Sequence, residues 1–498
     1  MDETHALELD PFALARSLSG FHLIDGKLQP SRSGSRFPVV NPATGQQIGE
    51  AAAGTATEVD IAVAAAVAAQ PAWAGTSARD RGKALIECAR RLSLHTEEIG
   101  RLLSLETGKA IRTESRVEAG LVPETLNFYG GLASELKGET VPFSPRMLTL
   151  TLREPIGVVG TIIPWNAPVM LMAFKIAPAL VAGNTVVVKS AEEAPLSPLR
   201  VVQIMNEVLP PGVLNILSGD GPTCGAPLVA HPQIDKVTFT GSVETGRSIA
   251  RAAAEKLIPV TLELGGKSPM IVMGDADVEQ AVAGAIAGMR FTRQGQSCTA
   301  ASRIFVHESI CDDFVARIKA RVDAMKMGDP LDESTDIGTI ISRAQFEKVR
   351  NYVELGRATQ GAKAHSASAL PVDSRLKDGL FMQPVIFTGI RNDHKLAREE
   401  IFGPVTCVIA FRDYEDAILQ ANDTEFGLAA TIWTRDIRFA MDATQRLKAG
   451  FVQVNQNIVA QPGLSYGGIK QSGLGKEASL EAMLEHFTNK KTIIINMS

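Results

Sequence analysis

The run Ile156-Gly157-Val158-Val159-Gly160-Thr161-Ile162-Ile163-Pro164-Trp165-Asn166 decides how this chain folds. Residues 156–163 are apolar almost without a break and stop at a proline, as a strand buried on both faces does. The chain downstream repeats the pattern. Residues 169–180 are helix-like, and Thr185-Val186-Val187-Val188 is β-branched. Residues 199–208 read as helix again, and 213–217 and 237–239 as strands. Strands alternating with helices at this spacing predict a parallel sheet with helices on both faces, so the fold class is α/β. A second alternating block begins near Pro269-Met270-Ile271-Val272-Met273 and runs past residue 450, consistent with a second α/β domain. Upstream, two helices are expected. One covers 57–73, opened by Thr57-x-x-Asp60, and the other 77–105, opened by Ser77-x-x-Asp80. Residues 1–20 read as a loosely held extension. The late apolar run Lys491-Thr492-Ile493-Ile494-Ile495-Asn496 has little chain left to pair with and is expected to join a sheet elsewhere, in this subunit or another.

At 498 residues the chain is too long for one core. A net charge of −5 and the lack of a long basic run argue against nucleic acid as a partner. Five scattered cysteines (Cys88, Cys224, Cys298, Cys311, Cys407) form no CxxC pair, which reads as a reduced, cytoplasmic protein. The eight histidines contain no HExxH, so no metal site is expected. The acidic start Met1-Asp2-Glu3-Thr4-His5 is not that of a secretory signal. The uncharged stretch 156–174 carries Pro164, Asn166 and Pro168 in its middle, so it is not read as a membrane span.

Chemistry concentrates at a few points. Cys298 is flanked by small and polar residues, and Glu263 lies upstream in the glycine-hinged Leu262-Glu263-Leu264-Gly265-Gly266-Lys267. A thiolate that attacks a carbonyl and a carboxylate that activates water are the two parts of covalent aldehyde chemistry. A lone cysteine is as readily a small buried hydrophobe. No GxGxxG follows a strand, because Cys224 stands where Gly219-Asp220-Gly221 needs its third glycine. Gly241-Ser242-Val243-Glu244-Thr245-Gly246 does follow a strand and open a helix, where free N–H groups suit a phosphate. Lys189 and Glu192, just past another strand, can reach a ribose or can be a solvated ion pair. Asn166 can donate to an oxyanion or simply form a turn. Gly463-Leu464-Ser465-Tyr466-Gly467 matches the GxSxG elbow of hydrolases, yet Gly468 follows at once and few residues remain for the partners such an elbow needs.

Taken together these segments resemble the aldehyde dehydrogenase superfamily, in its non-phosphorylating, hydrolytic branch. The matching motifs are Pro164-Trp165-Asn166, Lys189 with Glu192, Gly241-Ser242 with Gly246, Glu263-Leu264-Gly265-Gly266-Lys267, Gly295-Gln296-Ser297-Cys298, Glu400-Ile401-Phe402-Gly403-Pro404, Asn455, and Tyr466 through Gly473. The resemblance implies an NAD-dependent enzyme that oxidises an aldehyde to the carboxylic acid through a cysteine thiohemiacetal and thioester. Cys298 would be the nucleophile, Glu263 the general base, and Asn166 part of the oxyanion hole. Ile162, Pro164, Trp165, Lys189, Glu192, Gly241, Ser242, Gly246, Leu264, Glu400 and Phe402 would hold NAD. The resemblance also implies a Rossmann-like cofactor domain (21–138 and 156–264), an α/β catalytic domain (265–475), and a small β oligomerisation element (139–155 and 476–498) of a homodimer or homotetramer.

Ala167, Leu171, Phe174, Ser297, Thr299, Ala460 and Tyr466 would line the substrate pocket. Ala167 and Ala460 stand where relatives often carry large rings, which points to a bulky or aromatic aldehyde. Ser465 replaces a usual proline, and the Glu263-to-Cys298 spacing is one residue longer than the resemblance leads one to expect. A rival reading is a semialdehyde dehydrogenase in which Arg293 or Arg290 binds a substrate carboxylate. A second rival is a non-catalytic relative.

Overall fold

In the computed structural model, which describes residues 10–458 and 460–498, the opening run becomes the strand Val158–Ile162 in an eight-stranded sheet. Its parallel neighbours are Thr185–Lys189 on one side and Lys236–Thr240 on the other. Leu214–Leu217 continues the sheet past the first neighbour and Val260–Glu263 past the second. Chain order therefore reverses between Val158–Ile162 and Lys236–Thr240. Such a reversal opens a crevice at the carboxyl ends of the strands, because the crossovers leave in opposite directions. Antiparallel strands finish the two edges: His22–Ile24 and Lys27–Gln29 at one, Gly473–Leu474 at the other.

The period-2 alternation of a strand explains why helices cover both faces. Val186 and Val188 pack with Met172, Ile176 and Leu180 of the helix Pro168–Val181. Val187 points the other way, into the cluster that holds Val59 and Val63 of the helix Ala56–Gly75 and extends to Ile249 of the helix Val243–Lys256. All three valines are fully buried, and burial of each stabilises the fold by about 1.5–3 kcal/mol.

The second α/β block forms its own sheet, ordered Lys363–Ser366, Val385–Thr388, Val405–Phe411, Arg303–His307, Pro269–Val272, Ala429–Trp433, Phe451–Val454. Every pairing in it is parallel except that of Lys363–Ser366. The late strand Thr488–Asn496 pairs antiparallel with Met147–Pro155 of the same chain, and Thr140–Ser144 completes a three-stranded sheet.

Several sequence expectations shift. Residues 10–20 are not loose, because the helix Pro11–Ser17 buries Ala15 and Leu18 follows it into the core; residues 1–9 lie outside the described residues. The first long helix is capped two residues earlier than expected, by a reciprocal Thr55–Glu58 box in which the Glu58 carboxylate accepts from the Thr55 N–H at 2.8 Å. The expected helix 77–105 is two helices, Ala78–Leu94 and Thr96–Thr107, broken at His95 without any proline or glycine to announce it. None of the described helices is long and apolar enough to cross a membrane.

Candidate active site

The crevice at the reversal point is where the sequence motifs converge. Val158–Ile162 delivers Pro164, Trp165 and Asn166, Lys236–Thr240 delivers Gly241 and Ser242, and Val260–Glu263 delivers Leu264 and Gly265. From the second α/β block come Cys298, Glu400 and Phe402. These residues wall one cavity of about 220 Å³, together with Gln345 and Lys348. Phe402 meets Trp165 edge to face, ring centres 5.2 Å apart. Its backbone is left-handed, with φ 57°, a strained position for a bulky residue. The Gln345 amide holds it there by donating to the carbonyls of Ile401 (3.1 Å) and Phe402 (2.8 Å).

Cys298 follows the helix Val278–Met289 and a tight turn at Phe291–Arg293. The turn is pinned through Gln296, whose amide donates to the carbonyls of Arg293 and Thr339 and whose Oε1 accepts from the Ile341 N–H at 3.1 Å. Asn166 reaches the same turn, its Nδ2 donating to the Gln296 carbonyl at 3.2 Å. Lys109 anchors Asn166 by donating to its carbonyl at 3.1 Å and pairs with buried Glu118. Glu118 in turn accepts from the Val169 N–H at 3.2 Å, on the first turn of the helix Pro168–Val181. The carboxamide next to Cys298 is thus fixed by a chain of buried contacts, which is the rigidity an oxyanion donor requires.

The Cys298 thiol is half-buried and lies 3.4 Å from the Tyr466 hydroxyl. Burial pushes its pKa up to about 11, with the Tyr466 hydrogen bond working in the opposite direction. The glycine hinge explains itself here. A Cβ on Gly266 would stand 2.3 Å from the Cys298 carbonyl oxygen, and one on Gly265 would stand 2.3 Å from Glu400 Oε2. The Gly266 N–H also donates to Glu400 Oε1 at 2.9 Å. Only a side-chain-free segment lets the Glu263 strand, Cys298 and Glu400 approach this closely.

Glu263 is buried, and neither of its carboxylate oxygens has a hydrogen-bond partner. Burial, and then the nearby Glu477 carboxylate, hold its pKa well above the ordinary carboxylate range. Its side chain rests against Gly467, where a Cβ would lie 2.4 Å from Oε1. It is not among the residues that wall the Cys298 cavity. Glu477 pairs with buried Lys175 and accepts from the Thr238 hydroxyl at 3.3 Å.

Of the expected substrate residues, Ala167, Leu171, Phe174, Ala460 and Tyr466 form one buried apolar cluster against which Cys298 packs. Sequence reading missed its other buried members, Leu121, Met170, Leu428 and Ala478, and Phe451, which packs against it. Leu121, Met170 and Phe451 offer only an apolar residue in a helix or strand as a signal, and Leu428 and Ala478 lie outside both. Ser297 stands outside the cluster, its hydroxyl bonded to that of Thr299 at 3.2 Å. Thr299 lines a separate small cavity with Arg290. Ser465 lies in an exposed loop rather than on a strand-to-helix elbow, so the hydrolase alternative has no structural support.

The remaining expected residues extend the crevice along the sheet. Ser242 caps the helix Val243–Lys256, its Oγ accepting from the Thr245 N–H at 3.1 Å. Beyond it, Ile162 and Lys189 wall a second cavity of about 380 Å³ with Gly221, Gly225, Glu244 and Thr245. Lys189 Nζ meets Glu192 Oε2 at 3.0 Å, and Glu192 stays partly exposed. Gly246 faces the protein rather than a cavity, because a Cβ there would come within 2.6 Å of Leu264. The backbone approach it permits is that of helix to strand. Gln345 and Lys348 were not anticipated, since nothing in their local sequence separates them from an ordinary helix face.

Comparison with known proteins gives this geometry a lineage. The profile of the Aldehyde dehydrogenase family matches residues 29–493. A hydroxyisobutyraldehyde dehydrogenase of Mycolicibacterium austroafricanum is 41% identical over 475 residues, covering 95% of this chain and 93% of that protein. A betaine aldehyde dehydrogenase of Rhizobium etli (strain CIAT 652) is 41% identical over 478 residues, 96% of this chain and 97% of its own. The crystal structure of a Staphylococcus aureus betaine aldehyde dehydrogenase in complex with NAD+ superposes with a TM-score of 0.94 at 34% identity, covering 99% of this chain and 98% of that one. With sequence and fold shared along nearly the whole chain, and a cysteine facing the crevice of its parallel sheet, this protein belongs to the aldehyde dehydrogenase family.

Proposed function

We propose that this enzyme oxidises an aldehyde to its carboxylic acid with NAD as electron acceptor, using Cys298 as nucleophile and Glu263 as general base. The observation that carries the reading is the single cavity walled on one side by Cys298 and Asn166 and on the other by Ser242, Glu400 and Phe402. A dinucleotide fits the two cavities flanking the start of the helix Val243–Lys256. Ser242 and the free N–H groups of its first turn suit the pyrophosphate, Lys189 and Glu192 the adenosine ribose, and Glu400 with Phe402 the nicotinamide end. When bound there, NAD supplies the hydride acceptor.

The chain's own residues do the rest. Cys298 gives its proton to solvent water as its sulfur bonds to the carbonyl carbon, and the carbonyl π pair moves onto oxygen. The Asn166 amide and the Cys298 N–H hold that oxyanion. Its collapse expels hydride from carbon and leaves a thioester on Cys298. Glu263 then takes a proton from water, whose oxygen adds to the thioester carbon and breaks the C–S bond, releasing the acid. The raised pKa makes the ionised Glu263 carboxylate a stronger base, so once ionised it holds the proton it takes from water.

The apolar cluster of Leu121, Phe174, Phe451 and Tyr466 around Cys298, with alanine at 167 and 460, favours a bulky or aromatic aldehyde. The three-stranded sheet carries exposed Phe143, Leu152, Ile494 and Ile495, which supports a role in assembling a homodimer or homotetramer. Cys298→Ala, assayed for NADH formation with benzaldehyde, is expected to lose turnover while still binding NAD. Appreciable residual turnover overturns the assignment.

A further inference from the structure

We propose that Glu114 is a positioning residue for the nucleophile: it latches the turn leading to Cys298 onto the same short segment that fixes Asn166, and so sets the span of the oxyanion hole. The proposal rests on the aldehyde-oxidising reading above and deepens it. The turn is one that needs holding. Arg290 and Gln294 flank its centre, Phe291–Arg293, in left-handed conformations, both at φ 56°. Neither has glycine's freedom there, so the backbone is costly to keep. Gln294 and Gln296 tie it to the carbonyls of Gly338, Met382 and Thr339. The polar side chains of Thr292 and Arg293 converge on one carboxylate. Arg293 donates from Nε and Nη2 to Glu114 Oε2, at 2.8 and 2.6 Å, and the Thr292 hydroxyl donates to Oε1. Burial pushes the Glu114 carboxyl up, but the Arg293 charge and the Thr292 hydroxyl outweigh it and hold the group below its ordinary value. The latch is therefore charged at neutral pH, and charged hydrogen bonds are the strong ones.

Chain position makes the latch a link between the two halves of the hole. Glu114 lies in a π-helical turn, Ile111–Ser115, just after Lys109. Turns of this kind are rare and collect at functional sites. Lys109 donates to the Asn166 carbonyl at 3.1 Å and pairs with Glu118, which accepts from the Val169 N–H at 3.2 Å. The Ser115 hydroxyl closes back on the Lys109 carbonyl at 3.3 Å. Residues 109–118 thus grip Asn166 with one side chain and the Cys298 turn with another. The Asn166 Nδ2 already reaches the Gln296 carbonyl at 3.2 Å, just before Cys298. Oxyanion donors act only from fixed positions, and this segment holds both of them. The competing account is a buried ion pair that merely keeps the fold together.

The test follows two reactions of one sulfur in the full-length enzyme. Single-turnover NADH formation from benzaldehyde and NAD needs Cys298 and the oxyanion hole together, whereas alkylation by iodoacetamide needs the thiolate alone. In Glu114→Gln the NADH rate should fall by about 100-fold, as a displacement of about 1 Å at the site implies. Alkylation of Cys298 should change by no more than about threefold, because nucleophilicity compensates for altered thiol basicity. Glu114→Asp, which keeps the charge at shorter reach, should recover part of the NADH rate. The double variant Glu114→Gln/Arg293→Leu leaves no unpaired charge, so it should melt close to the wild type and yet stay slow. It decides the matter alone if Glu114→Gln does not fold. A double variant that regains rate along with melting temperature overturns the proposal in favour of the purely structural pair. A Glu114→Gln enzyme as fast as the wild type does the same. Alkylation slowed as far as NADH formation also overturns it, since the pair would then act on the thiolate and not on the span. Each of these outcomes leaves the aldehyde reading standing, because the wild type still makes NADH. A wild type that makes none from benzaldehyde or butanal sinks both readings together.

Discussion

Replacing Tyr466 by phenylalanine removes one hydroxyl and tests how Cys298 is poised. In the intact site the thiol lies 3.4 Å from that hydroxyl, and burial pushes its pKa up to about 11. At pH 8 such a thiol is ionised in roughly one molecule per thousand. The hydrogen bond favours the thiolate, so its loss raises the pKa. A hydrogen bond of about 0.5–1.5 kcal/mol, at 1.36 kcal/mol per unit, corresponds to an upward shift of about 0.4–1 unit. The thiolate population then drops by about 2- to 10-fold. Because nucleophilicity rises with thiol basicity, the rate at fixed pH falls by only about 1.5- to 3-fold. The position of the pH profile is therefore the sharper readout. The assay is alkylation of the unliganded enzyme by iodoacetamide across alkaline pH, with the Cys298 peptide quantified by mass spectrometry. Reactivity should climb about tenfold per pH unit well past pH 8, and Tyr466→Phe should move the curve to higher pH. A wild-type rate that is flat from neutral pH upward, or a variant curve that does not move, refutes the reasoning.

Glu263→Gln should release one equivalent of NADH per active site in a burst and then stall, with thioester hydrolysis slowed by about 10²- to 10⁴-fold; steady turnover at the wild-type rate removes Glu263 from the mechanism. Only the ionised carboxylate can accept a proton, and the Glu263 pKa is raised by burial and by Glu477. Deacylation measured on the preformed thioester should thus be slow in acid and rise with pH through a midpoint above the usual carboxylate range. A midpoint at ordinary glutamate values contradicts the burial argument. Gly266→Ala places a methyl group 2.3 Å from the Cys298 carbonyl oxygen. Overpacking of this kind costs about 1–3 kcal/mol, and a shift of about 1 Å in Cys298 would cost about 100-fold in rate. Thermal unfolding and kcat both check it, and an unperturbed variant means the approach is looser than described.

How much was legible in advance depended on the range of each interaction. The strands at 158 and 185 announced themselves because burial on both faces favours nearly unbroken apolar runs, whereas those at 214 and 236 carry Asn215, Lys236, Thr238 and Thr240 and were marked by their spacing; Asn166 and Ser242 fall just past strand ends. The break at His95 was invisible, since the helices on either side both have helix-favouring sequences and only their separate packing divides them. The terminal strand could be recognised, and the resemblance grouped 476–498 with 139–155, but the register against Met147–Pro155 could not be read, because register across such a separation is set by tertiary packing. At the site the sequence named Cys298 and Tyr466 without linking them. The Gln345 grip on Phe402 and the place of Leu121 beside Cys298 were equally out of reach, since neither depends on local periodicity.

The central claim is a covalent bond between the Cys298 sulfur and the substrate carbon, and mass spectrometry reads it directly. Glu263→Gln mixed with benzaldehyde and NAD should gain the mass of one benzoyl group, located on the peptide that carries Cys298. An unmodified Cys298 in a protein that has already made NADH would contradict the account.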